Sequence, residues 1–489
     1  MKGNETYKRT MDTVPSAGPS RRTLLSTALV AASAGAATPL IGTALALPAH
    51  AEVKPPALPP PPTAQTPDAE LKSLLAQVDP ARLKATIQKL VSFGTRHTLS
   101  SQDDPNRGIG AARDWLFDTL QGYAAASGGR LTVEKQSFVQ PAGPRIPVPT
   151  VITNVIATLR GASEPNRTYV VTGHYDSRVT DVLNFSLDAP GADDDGSGVA
   201  VILELARILS AARQPEATIV FAAVAGEEQG LFGSAFMAAQ MKAAGTDVQG
   251  MISNDIVGSS TADDGTRYKH LVRLFAEGVP TSETASQTSI RQSIGGENDG
   301  PSRQLARFIR EVSDNNVTGM NVRTIYRRDR YLRSSDHVSF LQQGYPAVRL
   351  TEEAENFAHE HQDVRVENGV QFGDLIQFCD FDYIAGVARV NLATFWSLAN
   401  APGTPKNVLI DTTQLTNDST LHWVADSAAD LSGYHVVWRE STAPEWERAV
   451  PVGNATEVTL DIAKDNVQFG VRAVDKKGHH SPAGFPAPG

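Results

Sequence analysis

Glu227 and Glu228 follow the apolar run 218–225 with one glycine between. Two adjacent carboxylates after a buried strand suit a metallohydrolase, because neighbours in extended chain point in different directions: one can hold a metal while the other takes a proton from the attacking water. Solvated loop acids are the plain alternative. Three other segments tip the balance. Gly173-His174-Tyr175-Asp176-Ser177 puts a histidine and an aspartate two apart at the end of a second apolar run. Asp193, Asp194 and Asp195 crowd into a glycine-flanked turn directly before an apolar helix, where an N-cap does not use all three, so one of them is expected to meet a cation. Asp255, in Ile252-Ser253-Asn254-Asp255-Ile256, stands at the end of a further short run over 250–253.

These residues need a scaffold that brings strand ends together. Apolar residues at three- and four-residue spacing predict amphipathic helices over 68–93 and 109–123. The period then changes: 151–159, 168–172, 217–225 and 250–253 are short, β-branched and nearly continuous, the pattern of strands buried on both faces. Helical patterns over 198–209 and 233–243 lie between them, a helix over 302–312 and a core strand near 347–350 follow. Strand and helix in alternation imply an α/β fold, a mixed and largely parallel sheet with helices on both faces, whose carboxyl edge is where ligands bind. After Ala401-Pro402-Gly403 only short alternating runs remain, which predicts a small all-β sandwich over 405–489.

Taken in order, Gly173-His174-Tyr175-Asp176-Ser177, the 189–198 turn, Glu227-Glu228-Gln229-Gly230-Leu231-Phe232-Gly233-Ser234, Asn254-Asp255 and Ser335-Asp336-His337 resemble the bacterial leucyl aminopeptidase family of co-catalytic dizinc metallopeptidases, metallopeptidase family twenty-eight. The resemblance spans about residues 85 to 400. It implies two zinc ions, one held by His174 and Asp255, the other by Glu228 and a late histidine, with Asp194 bridging. It further implies Glu227 as general base, Asp176 as acceptor of the second ring proton of His174, and a cis bond between Asp194 and Asp195. The donor set contains no thiolate and suits zinc, with cobalt or manganese as substitutes. The late histidine is either His359 or His361. Family spacing, four residues before an aspartate, favours His359. Asp336 and His337 are expected behind the metals, and Arg330, Tyr331 and Arg333 either contact substrate or are solvated. Relatives that carry a disulfide before Ser335 differ from this chain, whose one cysteine is Cys379. Trp423, Leu431-Ser432-Gly433-Tyr434, Trp438 and the closing 471–475 resemble a fibronectin type III module.

The whole chain sets the surroundings. Its 489 residues exceed one hydrophobic core, and 41% hydrophobic with 20% charged residues describes a globular body. A net charge of −10 leaves no basic patch for nucleic acid. Residues 1–51 read as a twin-arginine export signal, with Arg21-Arg22 before an apolar stretch and small residues around Ala51. That places the protein in the periplasm or outside the cell, without stable membrane insertion after cleavage. A proline-rich spacer occupies 52–66, a peptidase domain 67–402 and the sandwich 405–489. The sandwich suits contact with a polysaccharide, anchoring at the cell surface, or a removable tail, with Trp423 and Trp438 in its core. The expected substrates are peptides and the expected reaction is release of N-terminal residues. A dipeptidase or carboxypeptidase, an acyl-amino-acid deacylase, and an inactive binding protein on the same scaffold are the competing readings.

Overall fold

The computed structural model describes residues 59, 61–62, 64–315 and 317–489. The export-signal reading and most of the spacer lie outside them. The central sheet has eight strands: β1 (Leu131–Gln140), β2 (Thr150–Leu159), β3 (Glu164–His174), β4 (Ala217–Val224), β5 (Asp247–Asn254), β6 (Leu271–Ala276), β7 (Asn321–Ile325) and β8 (Ala347–Glu352). Their order is β1-β2-β4-β3-β5-β8-β6-β7. The four central strands β4, β3, β5 and β8 run parallel, whereas β2 and β6 flank them antiparallel. His174, Glu227, Glu228 and Asp255 therefore leave parallel strands at one carboxyl edge.

Among the described residues ten α-helices complete this part: α1 (Ala69–Leu75), α2 (Pro80–Val91), α3 (Ile109–Ala126), α4 (Gly196–Ala211), α5 (Glu227–Gly230), α6 (Phe232–Ala243), α7 (Ala285–Ser293), α8 (Pro301–Ser313), α9 (His337–Gln342) and α10 (Phe381–Asn400). Strand alternation sorts the core into two layers. Ile219, Phe221 and Ala223 pack with α4 and α10, while Val220, Ala222 and Val224 face α6 and α9. The single helix expected over 68–93 is two, because Asp79 caps a new start, its Oδ1 accepting the Ala81 amide at 2.8 Å, and Pro80 fits only a first helical turn. Strands β1, β6 and β7 are additions to the expected set. β1 is an edge strand with mostly solvent-facing or half-buried side chains, and Arg273 and Arg323 interrupt the apolar pattern of β6 and β7.

Beyond α10, strand 431–440 pairs with 448–453 and 467–475 in one small sheet, and 419–422 with 409–410 and 457–460 in another. Trp423, Tyr434, Val436, Trp438, Phe469 and Val471 form the core between them. Among the described residues no helix is long and apolar enough to cross a membrane.

Candidate metal centre

Asp194 stands between two groups of side chains. Its Oδ1 lies 3.0 Å from His174 Nε2, and its Oδ2 lies 2.7 Å from His361 Nε2. On the first side, His174, Glu227 and Asp255 bring one ligand atom each within 4.8 Å of one another, and His174 Nε2 is 3.9 Å from Asp255 Oδ1. On the second, Asp194, Glu228 and His361 do the same, with Glu228 Oε2 at 3.2 Å from His361 Nε2.

The backbone that makes this convergence is held by buried polar groups. The Asp194–Asp195 peptide is cis. Asp195 caps α4 by accepting the Gly198 amide at 2.9 Å, and its other oxygen accepts the His174 amide at 2.9 Å. The Asp374 carboxylate accepts the Asp193 and Asp194 amides, both at 2.8 Å. Arg96, fully buried, donates to the carbonyls of Tyr175, Pro190 and Gly191, so one guanidinium ties the His174 strand end to the aspartate turn. Burial pushes that guanidinium down to about 10. Gly226, at φ 74°, turns the chain from β4 into the two glutamates.

The role expected of Asp176 changes in detail. His174 Nδ1 faces the main-chain carbonyl of Asp176 at 3.1 Å, and the carboxylate stands off at 3.6 Å. That carboxylate instead accepts the amides of Glu227 and Glu228, at 3.3 and 3.1 Å, and the Thr98 hydroxyl at 3.1 Å. Asp176 thus positions the glutamate pair, while its carbonyl orients His174.

The expectation that favoured His359 is corrected. The His359 ring stacks on Phe378 with centroids 3.4 Å apart and planes at 8°, whereas the ring brought to Asp194 and Glu228 is that of His361. Asp336 and His337 are fully buried, and His337 Nε2 meets the Arg328 carbonyl at 2.9 Å. Arg330 and Arg333 line the cleft but are engaged by Glu355, at 2.9 and 2.8 Å. Two further positions had no mark in the sequence. Arg349, fully buried on β8, reaches Asp255 Oδ1 at 3.1 Å and Asp329 at 3.3 Å, and nothing in its alternation separates it from the apolar residues around it. Asp374 is preceded by Gly373 at φ 112°, a turn signal and nothing more.

Electrostatics follow from this crowding. Burial drives the Glu227 carboxyl well above its ordinary range; His174 opposes the rise, and Asp255 and Glu228 add to it. Burial works in the same direction on Asp194, but the His361 and His174 imidazoles override it and hold that carboxyl well below. For Asp255, burial is overcome by the Arg349 guanidinium. A cleft of about 460 Å³ opens over these groups.

Residues 154–368 match peptidase family M28. A protein of Leptosphaeria maculans, named a probable zinc metalloprotease, is 55% identical over 423 residues, 86% of this chain and 98% of the relative. One of Pyricularia oryzae with the same name is 55% identical over 433 residues, 87% and 86% of the two chains. The chain belongs to peptidase family M28. Among solved structures, the LapA aminopeptidase of Legionella pneumophila is 18% identical over 68% of this chain and 74% of that one, with a TM-score of 0.48. The glutaminyl cyclase of Porphyromonas gingivalis is 19% identical over 65% and 97%, with a TM-score of 0.44.

The two groups of this M28 chain fit a pair of zinc ions. Ligand atoms about 2.0–2.1 Å from a tetrahedral ion stand roughly 3.4 Å from one another, close to the separations around Asp194. Glu228 Oε1 is buried without a hydrogen-bond partner among the described residues, an acceptor left for a cation. Arg178 spans Glu228 Oε2 at 2.9 Å and His361 Nδ1 at 2.7 Å. Zinc on His361 Nε2 requires the ring proton on Nδ1, so this contact with the guanidinium is one that the ion must displace.

Proposed function

We propose that this M28 metalloprotease is a two-zinc exopeptidase that releases single residues from the N-termini of peptides. The observation that carries the reading is Asp194, with one oxygen turned to His174 and the other to His361, and the Glu227 carboxylate in the group on the His174 side. His174 and Asp255 would hold one zinc, Glu228 and His361 the other, and Asp194 would bridge them. When bound, the pair supplies Lewis-acid polarisation of the scissile carbonyl and of the attacking water.

The chain's own residues do the rest. Glu227 accepts the proton of the attacking water and returns it to the leaving amine, a task suited to a carboxyl whose proton affinity burial raises well above the ordinary carboxylate range. Asp176 fixes the glutamate main chain so that the base and its neighbour diverge. The acidic groups of the cleft floor, Glu227 and Asp255 among them, favour a substrate that enters with its α-ammonium first. The twin-arginine motif supports export of the folded, metal-loaded protein.

A panel of aminoacyl p-nitroanilides and their N-acetylated counterparts tests the reaction. Hydrolysis of the free amines that is lost on acetylation is the expected result. Release of nitroaniline from the acetylated compounds as readily as from the free amines would show that no free N-terminus is required and would contradict the aminopeptidase reading.

A further inference from the structure

We propose that Arg145 is a substrate-binding residue that recognises a carboxylate on the peptide, an inference that rests on the peptidase reading above. Arg145 sits in the loop between β1 and β2, where residues 141–149 include Pro141, Pro144, Pro147 and Pro149. Four fixed φ angles in nine residues leave this loop little freedom to lose. A tight turn closes inside it: the Gly143 amide donates to the Ile146 carbonyl at 2.6 Å, and the Ile146 amide donates back at 3.2 Å. The Ile146 side chain is buried, 1% exposed, and anchors the turn in the protein. Arg145, beside it, is exposed and lines the cleft. One guanidinium nitrogen, Nη1, donates to the main-chain carbonyl of Glu228 at 2.9 Å. The cation is thereby fixed next to the residue that would hold a zinc, on a preorganised loop rather than on a free side chain.

What distinguishes Arg145 is the state of its charge. The other arginines of the cleft are neutralised: Arg178 by Glu228, Arg330 by Glu355, and Arg333 by Glu355 and Glu360. Among the described residues Arg145 makes no ion pair, and its single acceptor is a neutral carbonyl. The remaining N–H groups of a planar guanidinium match a carboxylate bidentately. A peptide offers that group from three places: the side chain of an acidic first residue, the side chain of an acidic second residue, or the C-terminus of a short substrate.

The test uses matched neutral and acidic substrates with the zinc-loaded protein. Leu-Gly against Leu-Gly-amide reads the C-terminus, Leu-Asp-amide against Leu-Asn-amide the second side chain, and glutamyl against glutaminyl p-nitroanilide the first. The readout is the ratio of kcat/KM within each pair, which a general loss of activity does not move. The wild type is expected to favour the acidic member of at least one pair on the order of tenfold, the lower end for a charge-assisted hydrogen bond at a solvent-open site. That ratio should fall toward one in Arg145→Gln, recover in part in Arg145→Lys, and shrink with added salt in the wild type. Ratios near one for all three pairs in the wild type would overturn the proposal, as would a ratio that survives Arg145→Gln. Cleavage of neutral leucyl amides separates the two readings: if they are cleaved without discrimination, only the role of Arg145 fails; if none is cleaved, the aminopeptidase reading fails.

Discussion

His359 and His361 stand two residues apart in one loop, yet they do different work. His361 adopts φ 54°, and this turn of the backbone aims its imidazole at Asp194 and Glu228 while His359 lies flat on Phe378. His361→Ala should lower zinc from two ions per chain toward one and restore partly with excess metal. His359→Ala should keep both ions and lose stacking only. Metal analysis after dialysis of the two variants checks this, and zinc loss in His359→Ala alone would reverse the assignment. At this scale the sequence revealed the carboxylates because they sit at strand ends, where the pattern itself marks the edge. It could not choose between two histidines in a loop with no period. Arg349 and Asp374 were hidden for a related reason: each acts through a partner distant in the chain, Asp255 or the Asp193 and Asp194 amides, and nothing local marks it.

The strands of the parallel centre were readable because burial on both faces leaves continuous β-branched runs, as in β4, all eight of whose residues are buried. β1 was not, because its partner β2 supplies the apolar half of the pairing and its own Glu134 and Lys135 face out. The site depends on how closely α4 approaches the sheet. A Cβ placed on Gly198 would stand 2.3 Å from the Asn254 carbonyl oxygen and 2.5 Å from Asp195 Oδ1, the first a backbone atom and the second part of a carboxylate held by the His174 and Gly198 amides. Gly198→Ala must therefore shift α4 away from the end of β5. Urea denaturation should show a loss of about 1–3 kcal/mol, accompanied by weaker zinc binding because Asp194 and Asp255 separate. Wild-type stability in this variant would show that the approach is not needed.

Across the whole molecule, the C-terminal sheets are bound to α8 and its preceding turn through buried charge. Asp299 is shared by Arg307 at 3.2 Å and Arg439 at 2.6 Å, and Glu311 by Arg472 at 2.8 Å and His480 at 2.9 Å. Nothing local in the sequence marks His480, since its partner Glu311 lies far away in the chain. Trp423 and Trp438, as expected, are core residues of the small sheets. Burial alone would raise the Glu311 carboxyl, but Arg472 and then His480 hold it down at about 2, from an ordinary 4.5. A depressed carboxyl stabilises the fold fully above its unfolded value and loses that contribution as the pH falls through the folded one. The contribution is on the order of 3 kcal/mol, so thermal stability should decline between about pH 5 and pH 2 and the decline should be shallower in Glu311→Gln. Identical pH profiles for the two proteins would remove Glu311 from the account.

Glu227→Gln separates proton transfer from metal binding at the two-zinc centre proposed around Asp194. Turnover of leucine p-nitroanilide is measured on protein whose zinc content is known. The amide cannot take a proton but leaves His174, Asp255, Asp194, Glu228 and His361 in place, so the variant should carry two zinc ions per chain and lose about two to four orders of magnitude in kcat. Turnover like that of the wild type, or loss of zinc in step with loss of activity, would contradict the assignment of Glu227 as the base.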